Sequence, residues 1–128
     1  ELLAAALLDM ELHNLTDTDN LNVVAFEKET MDKLGLIPEI APRYRATYFS
    51  HIIGGYAAGY YSYLWAEVLD TDAFEAFKEH GVFDKNTADS FRKNILEKGG
   101  TEDPMTLYRG FRGADPSLEP LLKNRGLK

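Results

Sequence analysis

Apolar residues recur along the chain at helical spacing, and short polar, glycine-rich or proline-containing breaks separate these stretches. Residues 2–13 (LLAAALLDMELH) are strong helix formers without glycine or proline. Leu3, Leu7 and Met10 fall on one face of that helix, with Leu8 and Leu12 beside it. The polar run TDTDN at 16–20 is a turn that offers several caps. A second helix is expected over 22–34. Val23, Phe26, Thr30 and Leu34 lie near one face, Glu27, Glu29, Asp32 and Lys33 mostly off it, and Gly35 is its stop. Residues 35–50 hold two prolines and form an irregular connection.

After Gly54-Gly55 a helix is expected from about Ala57 to Leu69, with 72–80 continuing it or starting another up to Gly81. Residues 87–98 make a further amphipathic helix, with Phe91, Ile95 and Leu96 as its candidate inward residues and Gly99-Gly100 as its end. Asp103-Pro104 and Asp115-Pro116 each place a capping carboxylate before a proline suited to a first helical turn. Gly113 and Gly126 follow the two short helices so defined. No strand-like alternation of useful length occurs. The expected class is all-α: an irregular bundle of about six or seven short helices with one loop rich in glycine and tyrosine.

Composition narrows the chemistry. The 128 residues suffice for one domain with a core of its own. The net charge of −7 argues against a phosphate backbone as partner, although residues 104–128 are net basic. With no cysteine there is no disulfide, thiolate nucleophile or thiolate-bound zinc. The longest apolar run, Leu2–Leu8, is too short to span a bilayer. It opens inside a hydrophobic pattern with no basic segment before it, which suggests a piece of a longer protein rather than a signal peptide.

The aromatic residues are concentrated. Six of the seven tyrosines lie between Tyr44 and Tyr63. On a helix, Tyr56, Tyr60 and Tyr63 share one stripe, while Tyr61, Leu64, Trp65 and Val68 form a second, core-like stripe. Seven helical residues rise about 10.5 Å, close to three residues of extended peptide at about 3.3 Å each. A phenol is a neutral, directed donor that keeps its proton at pH 7, since its pKa is about 10. Such a row can bond the carbonyls of a bound peptide, or an oxyanion as it forms. Gly54, Gly55 and Gly59 permit a mobile loop carrying His51. The same pattern also arises when buried tyrosines merely satisfy their hydroxyls. His80 is placed as a helix-end residue, and His13 as half of a surface pair with Asp9. No His-Glu-x-x-His, P-loop, G-x-S-x-G or calcium-loop pattern is present, so no metal ligands are expected within the chain.

The block HIIGGYAAGYYSYLWAEVLDTDAFEAF, together with LLDMELHNL, PRYRATYFSHI and FRKNILEKGGTEDPMTLYRGFRGADPSLEPLLKNRGL, closely resembles the C-terminal region of the thimet oligopeptidase and peptidyl-dipeptidase family of zinc metallopeptidases. The resemblance implies a C-terminal helical part of a long, channelled enzyme, with Zn2+ held by upstream residues outside this chain. It gives His51 a role beside the transition state and Tyr63 that of oxyanion donor. Tyr56 and Tyr60 correspond to peptide-contacting residues, and Gly54, Gly55 and Gly59 to a mobile loop. Implied partners are short peptides and the rest of the parent chain, with no nucleic acid and no membrane. The implied compartment is the cytoplasm. The isolated piece would be inactive and open to self-association through uncovered apolar surface. Ala57-Ala58-Gly59 resembles bacterial peptidyl-dipeptidases, whereas Glu11-Leu12 departs from relatives that carry an aromatic before the histidine. The competing expectation is a non-catalytic helical interaction module whose tyrosines form a binding face or plain core.

Overall fold

The computed structural model describes residues 1–128. It contains six α-helices and no strand: α1 (Leu2–His13), α2 (Val23–Lys33), α3 (Ser62–His80), α4 (Lys85–Phe91), α5 (Pro104–Arg112) and α6 (Glu119–Asn124). Two 3-10 turns, Ala46–Tyr48 and Ser50–Ile53, lie in the long connection before α3, and a π-helical turn, Arg92–Leu96, extends α4. No helix is long and apolar enough to cross a membrane. The chain divides into two compact units, Glu1–Leu64 and Trp65–Lys128.

In the first unit, α1 turns a different face inward from the one its large side chains suggest. Leu3 and Met10 are exposed, while Ala4, Ala5, Ala6, Leu8 and Asp9 are buried. The reason is close approach: Ala5 and Ala6 lie against Phe49, Ile52 and Tyr60, and a leucine there would hold those rings away. A second cluster joins Ala4 and Leu8 to Met31, with Leu12, Phe26 and Leu36 around it. Phe49 and Leu8 are fully buried, so truncating Phe49 to alanine removes about 3–5 kcal/mol of stability.

Helix α2 is capped by Asn22, whose side chain accepts from the Ala25 N–H at 3.1 Å, rather than by a residue of the TDTDN run. Gly35 follows its end at φ +65°, a conformation that suits glycine. Glu27, which the helical pattern sets off the apolar face, is buried. Its carboxylate accepts from the Arg45 Nε–H at 2.5 Å and from the Ala46 N–H, tying the irregular connection back onto α2.

The second unit relies on caps and one buried polar network. Asp84 accepts from the Thr87 N–H at 2.7 Å, and Asp103 from the Thr106 N–H at 2.8 Å with Pro104 following. Asp115 does not repeat this device. It pairs with Arg109 at 2.5 Å, and α6 starts later, after Leu118, with Pro120 in its first turn. Buried Tyr108 donates to the buried Asp72 carboxylate at 2.6 Å, and Arg112 grips both oxygens of Glu79 at 2.8 and 3.1 Å. The rings of Phe77, Phe91 and Phe111 pack at centroid separations of 5.1–6.2 Å. In the stripe assigned to the core, Val68 is buried, but Tyr61 and Trp65 are each about half exposed.

Several carboxyls of this second unit hold their charge more readily folded than unfolded. The Arg112 guanidinium lowers the pKa of Glu79, the Thr87 N–H lowers that of Asp84, and the Thr106 N–H lowers that of Asp103. Such groups contribute stability above their ordinary carboxylate pKa, and the contribution is lost as pH falls through the folded values. The midpoint of thermal unfolding should therefore fall as pH drops below about 4. Asp103→Asn should flatten that dependence, and a midpoint insensitive to acid would contradict it.

Candidate functional site

The segment that carries the candidate residues is not a regular helix. Tyr56 and Tyr60 sit in successive turns, and α3 begins at Ser62, later than the expected Ala57. Successive i→i+3 bonds, such as Gly59 N–H to Tyr56 O at 2.9 Å and Tyr63 N–H to Tyr60 O at 3.3 Å, still wind the chain in one sense. The rings therefore gather without a helical stripe. Tyr56 stacks on Tyr63 with centroids 5.2 Å apart, and Tyr60 meets Tyr63 edge-on at 5.0 Å. His51 lies 5.3 Å from Tyr60, 6.1 Å from Tyr56 and 6.2 Å from Tyr63. All four predicted aromatic positions thus converge within the first unit.

They are not equally open. Tyr56 and Tyr63 are 42% and 39% exposed, whereas Tyr60 is 2% exposed. That departs from a row of three open phenols. Tyr60 is sealed because its ring packs edge-on against Phe49 at 4.9 Å and against Tyr44 at 6.2 Å. The His51 Nδ1 atom is buried and has no hydrogen-bond partner, so the ring keeps one polar atom unused among the aromatic rings. Gly54 and Gly55 have open space where a Cβ would be, and Gly59 has only ordinary contacts. None of the three has a positive φ; the left-handed position in this segment falls instead on Ala58, at φ +51°.

Two residues outside the predicted set build the cluster. Tyr44 stacks on Phe49 at 4.9 Å and lies 5.1 Å from His51, walling the cluster from the side of the proline-containing connection. Asp9 is completely buried, unlike a member of a surface pair. Its Oδ1 accepts from the Ala58 N–H at 3.0 Å and its Oδ2 from the Tyr60 N–H at 2.9 Å. His13 Nδ1 lies 2.9 Å from Asp9 Oδ1 and 2.8 Å from the Asp9 carbonyl oxygen. Both neighbours are acceptors, so that nitrogen carries the proton. The signal in the sequence was a carboxylate in register with Leu2, Ala5 and Leu12.

Tyr60 and Tyr63 are held in the protonated form. Burial, reinforced by the adjacent Tyr44, pushes Tyr60 above the ordinary phenol value, and the Tyr56 phenol beside Tyr63, with desolvation behind it, does the same there. These groups can donate hydrogen bonds without titrating near neutrality. The chain brings together no set of three or more His, Asp or Glu side chains able to hold a metal ion. A groove of about 950 Å³ lies elsewhere in the first unit, beside α2, lined by Met31, Leu36, Ile37, Ile40 and Pro42 among others; none of the clustered phenols lines it.

The chain is thus all-helical, with aromatic rings and hydroxyls gathered around His51 in its first unit. The chain belongs to Peptidase family M3, a metallopeptidase family, whose model matches residues 1–127. It is 46% identical to the dipeptidyl carboxypeptidase of Escherichia coli (strain K12), over 99% of this chain and 19% of that protein. It is 57% identical to oligopeptidase A of the same organism over 62% of this chain and 12% of the relative. To oligopeptidase A of Haemophilus influenzae it is 42% identical, over 94% of this chain and 18% of the relative. The chain thus spans about a fifth of the length of the dipeptidyl carboxypeptidase it matches.

A near-ultraviolet pH titration checks the state of the phenols. Tyr60 and Tyr63 should ionise above the ordinary midpoint of about 10, as should Tyr108, which burial and the Asp72 carboxylate push up further. Because the folded pKa values are raised, the stability they contribute is complete below about pH 10 and is lost as pH rises through the folded values. Uniform ionisation of all seven tyrosines at the free-phenol midpoint would contradict this.

Proposed function

We propose that the parent protein is a zinc metallopeptidase that removes C-terminal dipeptides from short peptides or cleaves such peptides internally, and that residues 1–128 are the C-terminal helical part of its catalytic domain. The single observation that carries the reading is the pairing of two partly exposed phenol rings, Tyr56 and Tyr63, beside the His51 imidazole. Family membership supports a metallopeptidase parent, and the names of the relatives support peptide substrates. The residues of this chain do not assemble a metal set, so zinc would be held by parts of the parent outside it and would supply the Lewis acid for hydrolysis.

What this chain's residues do is bind and donate. Tyr63 donates its hydroxyl proton in a hydrogen bond to the scissile carbonyl oxygen as negative charge gathers there. Tyr56, stacked on it at 5.2 Å, bonds a neighbouring peptide carbonyl and limits the motion of the Tyr63 ring. His51 presents its imidazole to the same reacting region. Tyr60 backs the pair from inside, and Gly54, Gly55 and Gly59 add no side chains of their own around Tyr56. A neutral donor suits this role because its hydrogen bond strengthens as the oxygen becomes anionic, and it places no net charge against the neutral ground-state peptide.

In the full-length enzyme, Tyr63→Phe should lower kcat by about 10²–10³-fold while KM changes little. An unchanged kcat would instead favour a binding face without a catalytic part. For the separate 128-residue chain, elemental analysis after desalting should find no stoichiometric zinc, and incubation with short peptides should give no hydrolysis. A tightly held equivalent of zinc would overturn the placement of the metal.

A further inference from the structure

One buried charge in the first unit is used neither for packing nor by the proposed chemistry. Asp9 lies on α1 in register with Leu2, Ala5 and Leu12, at 0% exposure. An apolar side chain would fill such a position without burying a charge. A carboxylate there makes a directional demand instead. Each of its oxygens takes one backbone N–H of the tyrosine segment, that of Ala58 at 3.0 Å and that of Tyr60 at 2.9 Å. The turn it holds is one the chain adopts reluctantly, because Ala58 sits at φ +51° although glycine is its immediate neighbour.

The consequence reaches the open phenols through one ring. Tyr60 is in contact with Tyr63 at 5.0 Å and with His51 at 5.3 Å, and it is wedged against Phe49 at 4.9 Å. Fixing the Tyr60 backbone therefore fixes the surface on which Tyr63 and His51 rest. His13, 2.9 Å from Oδ1, sets the angle of the carboxylate. We propose that Asp9, oriented by His13, is a positioning residue for the catalytic donors: it anchors the Ala58–Tyr60 turn so that Tyr63 and His51 are held in productive register. The proposal rests on the reading of Tyr63 as donor. Asp9 touches no reacting atom. It acts by restricting the donors to one geometry, and a displacement of about 1 Å in such a group can cost about 100-fold in rate.

The test uses the full-length peptidase with Asp9→Asn, Tyr63→Phe and the double variant, assayed on one short peptide. Asparagine keeps the shape of the side chain but turns one acceptor oxygen into a donor facing an N–H. For Asp9→Asn, kcat should fall at least about ten-fold with KM within about two-fold, and amide exchange at Ala58 and Tyr60 should accelerate. In the Tyr63→Phe background the same substitution should cost less, because the share of its effect that passes through that phenol is already gone. Unaltered kcat, or effects of the two substitutions that simply multiply, would overturn the proposal and leave Asp9 a structural residue. If Asp9→Asn does not fold, His13→Ala keeps the carboxylate and releases one of its partners; a fall in kcat at constant KM supports the proposal, and an unchanged kcat overturns it. Tyr63→Phe alone separates the two failures. Wild-type kcat in that variant removes the reading of the site, whereas a slow Tyr63→Phe beside a fully active Asp9→Asn removes this inference alone.

Discussion

The first unit depends on a carboxylate that gives up water to hold a loop. Burying Asp9 strips it of hydration, and burial of an ionised group without partners is prohibitively costly. Here two backbone N–H groups and the His13 ring replace that hydration. The compensation works in both directions. The N–H groups of Ala58 and Tyr60 lie in irregular backbone that no helix or sheet ladder satisfies, and the carboxylate is the acceptor they need. Without it the N–H groups of Ala58 and Tyr60 would be left unpaired within an otherwise bonded run of turns.

Glu27 applies the same solution one helix later. Its carboxylate takes the Arg45 guanidinium and the Ala46 N–H, and so ties the proline-containing connection to α2. Two helices thus each present one buried acid to the long stretch between α2 and α3. Small residues on α1 let Phe49 and Tyr60 pack closely against that helix, beside the Asp9 bonds. The second unit is built otherwise. Asp84 and Asp103 start its helices, and the Tyr108–Asp72 bond and the Arg112–Glu79 fork join distant turns. Its acids work at helix ends and in pairs, where lost charge shows as sensitivity to low pH.

This division bears on function. A peptide-binding surface made of neutral phenols needs rings whose hydroxyls are free but whose positions are not. Stacking of Tyr56 on Tyr63 and the sealed Tyr60 behind them hold the rings in place, while the outer two residues stay partly exposed. The burial of Tyr60 is then part of the arrangement, since a third open ring would have nothing to rest on. On the proposed reading, a chain that spans about a fifth of its dipeptidyl carboxypeptidase relative would carry such a surface, and the hydrolytic metal would belong to other parts of the parent.

Much of this was legible in the residues alone. The Ala- and Leu-rich opening, the Asp103-Pro104 cap and the glycines at 35, 81 and 113 specified helices and their ends, because capping and propensity act within a few residues. The concentration of tyrosines around His51 marked the candidate site for the same local reason. The sequence could not say which side of α1 faces inward, since Leu3 and Ala5 are both helix formers and only the approach of Phe49 and Tyr60 chooses between them. Nor could it separate Asp103, which caps, from Asp115, which pairs with Arg109, or separate the sealed Tyr60 from its open neighbours. Above all it offered no means of joining Asp9 to Tyr60 across 51 positions. Local pattern determined which segments are helical and where the phenols gather. Tertiary packing decided which polar groups are buried, because desolvation depends on what arrives from elsewhere in the chain.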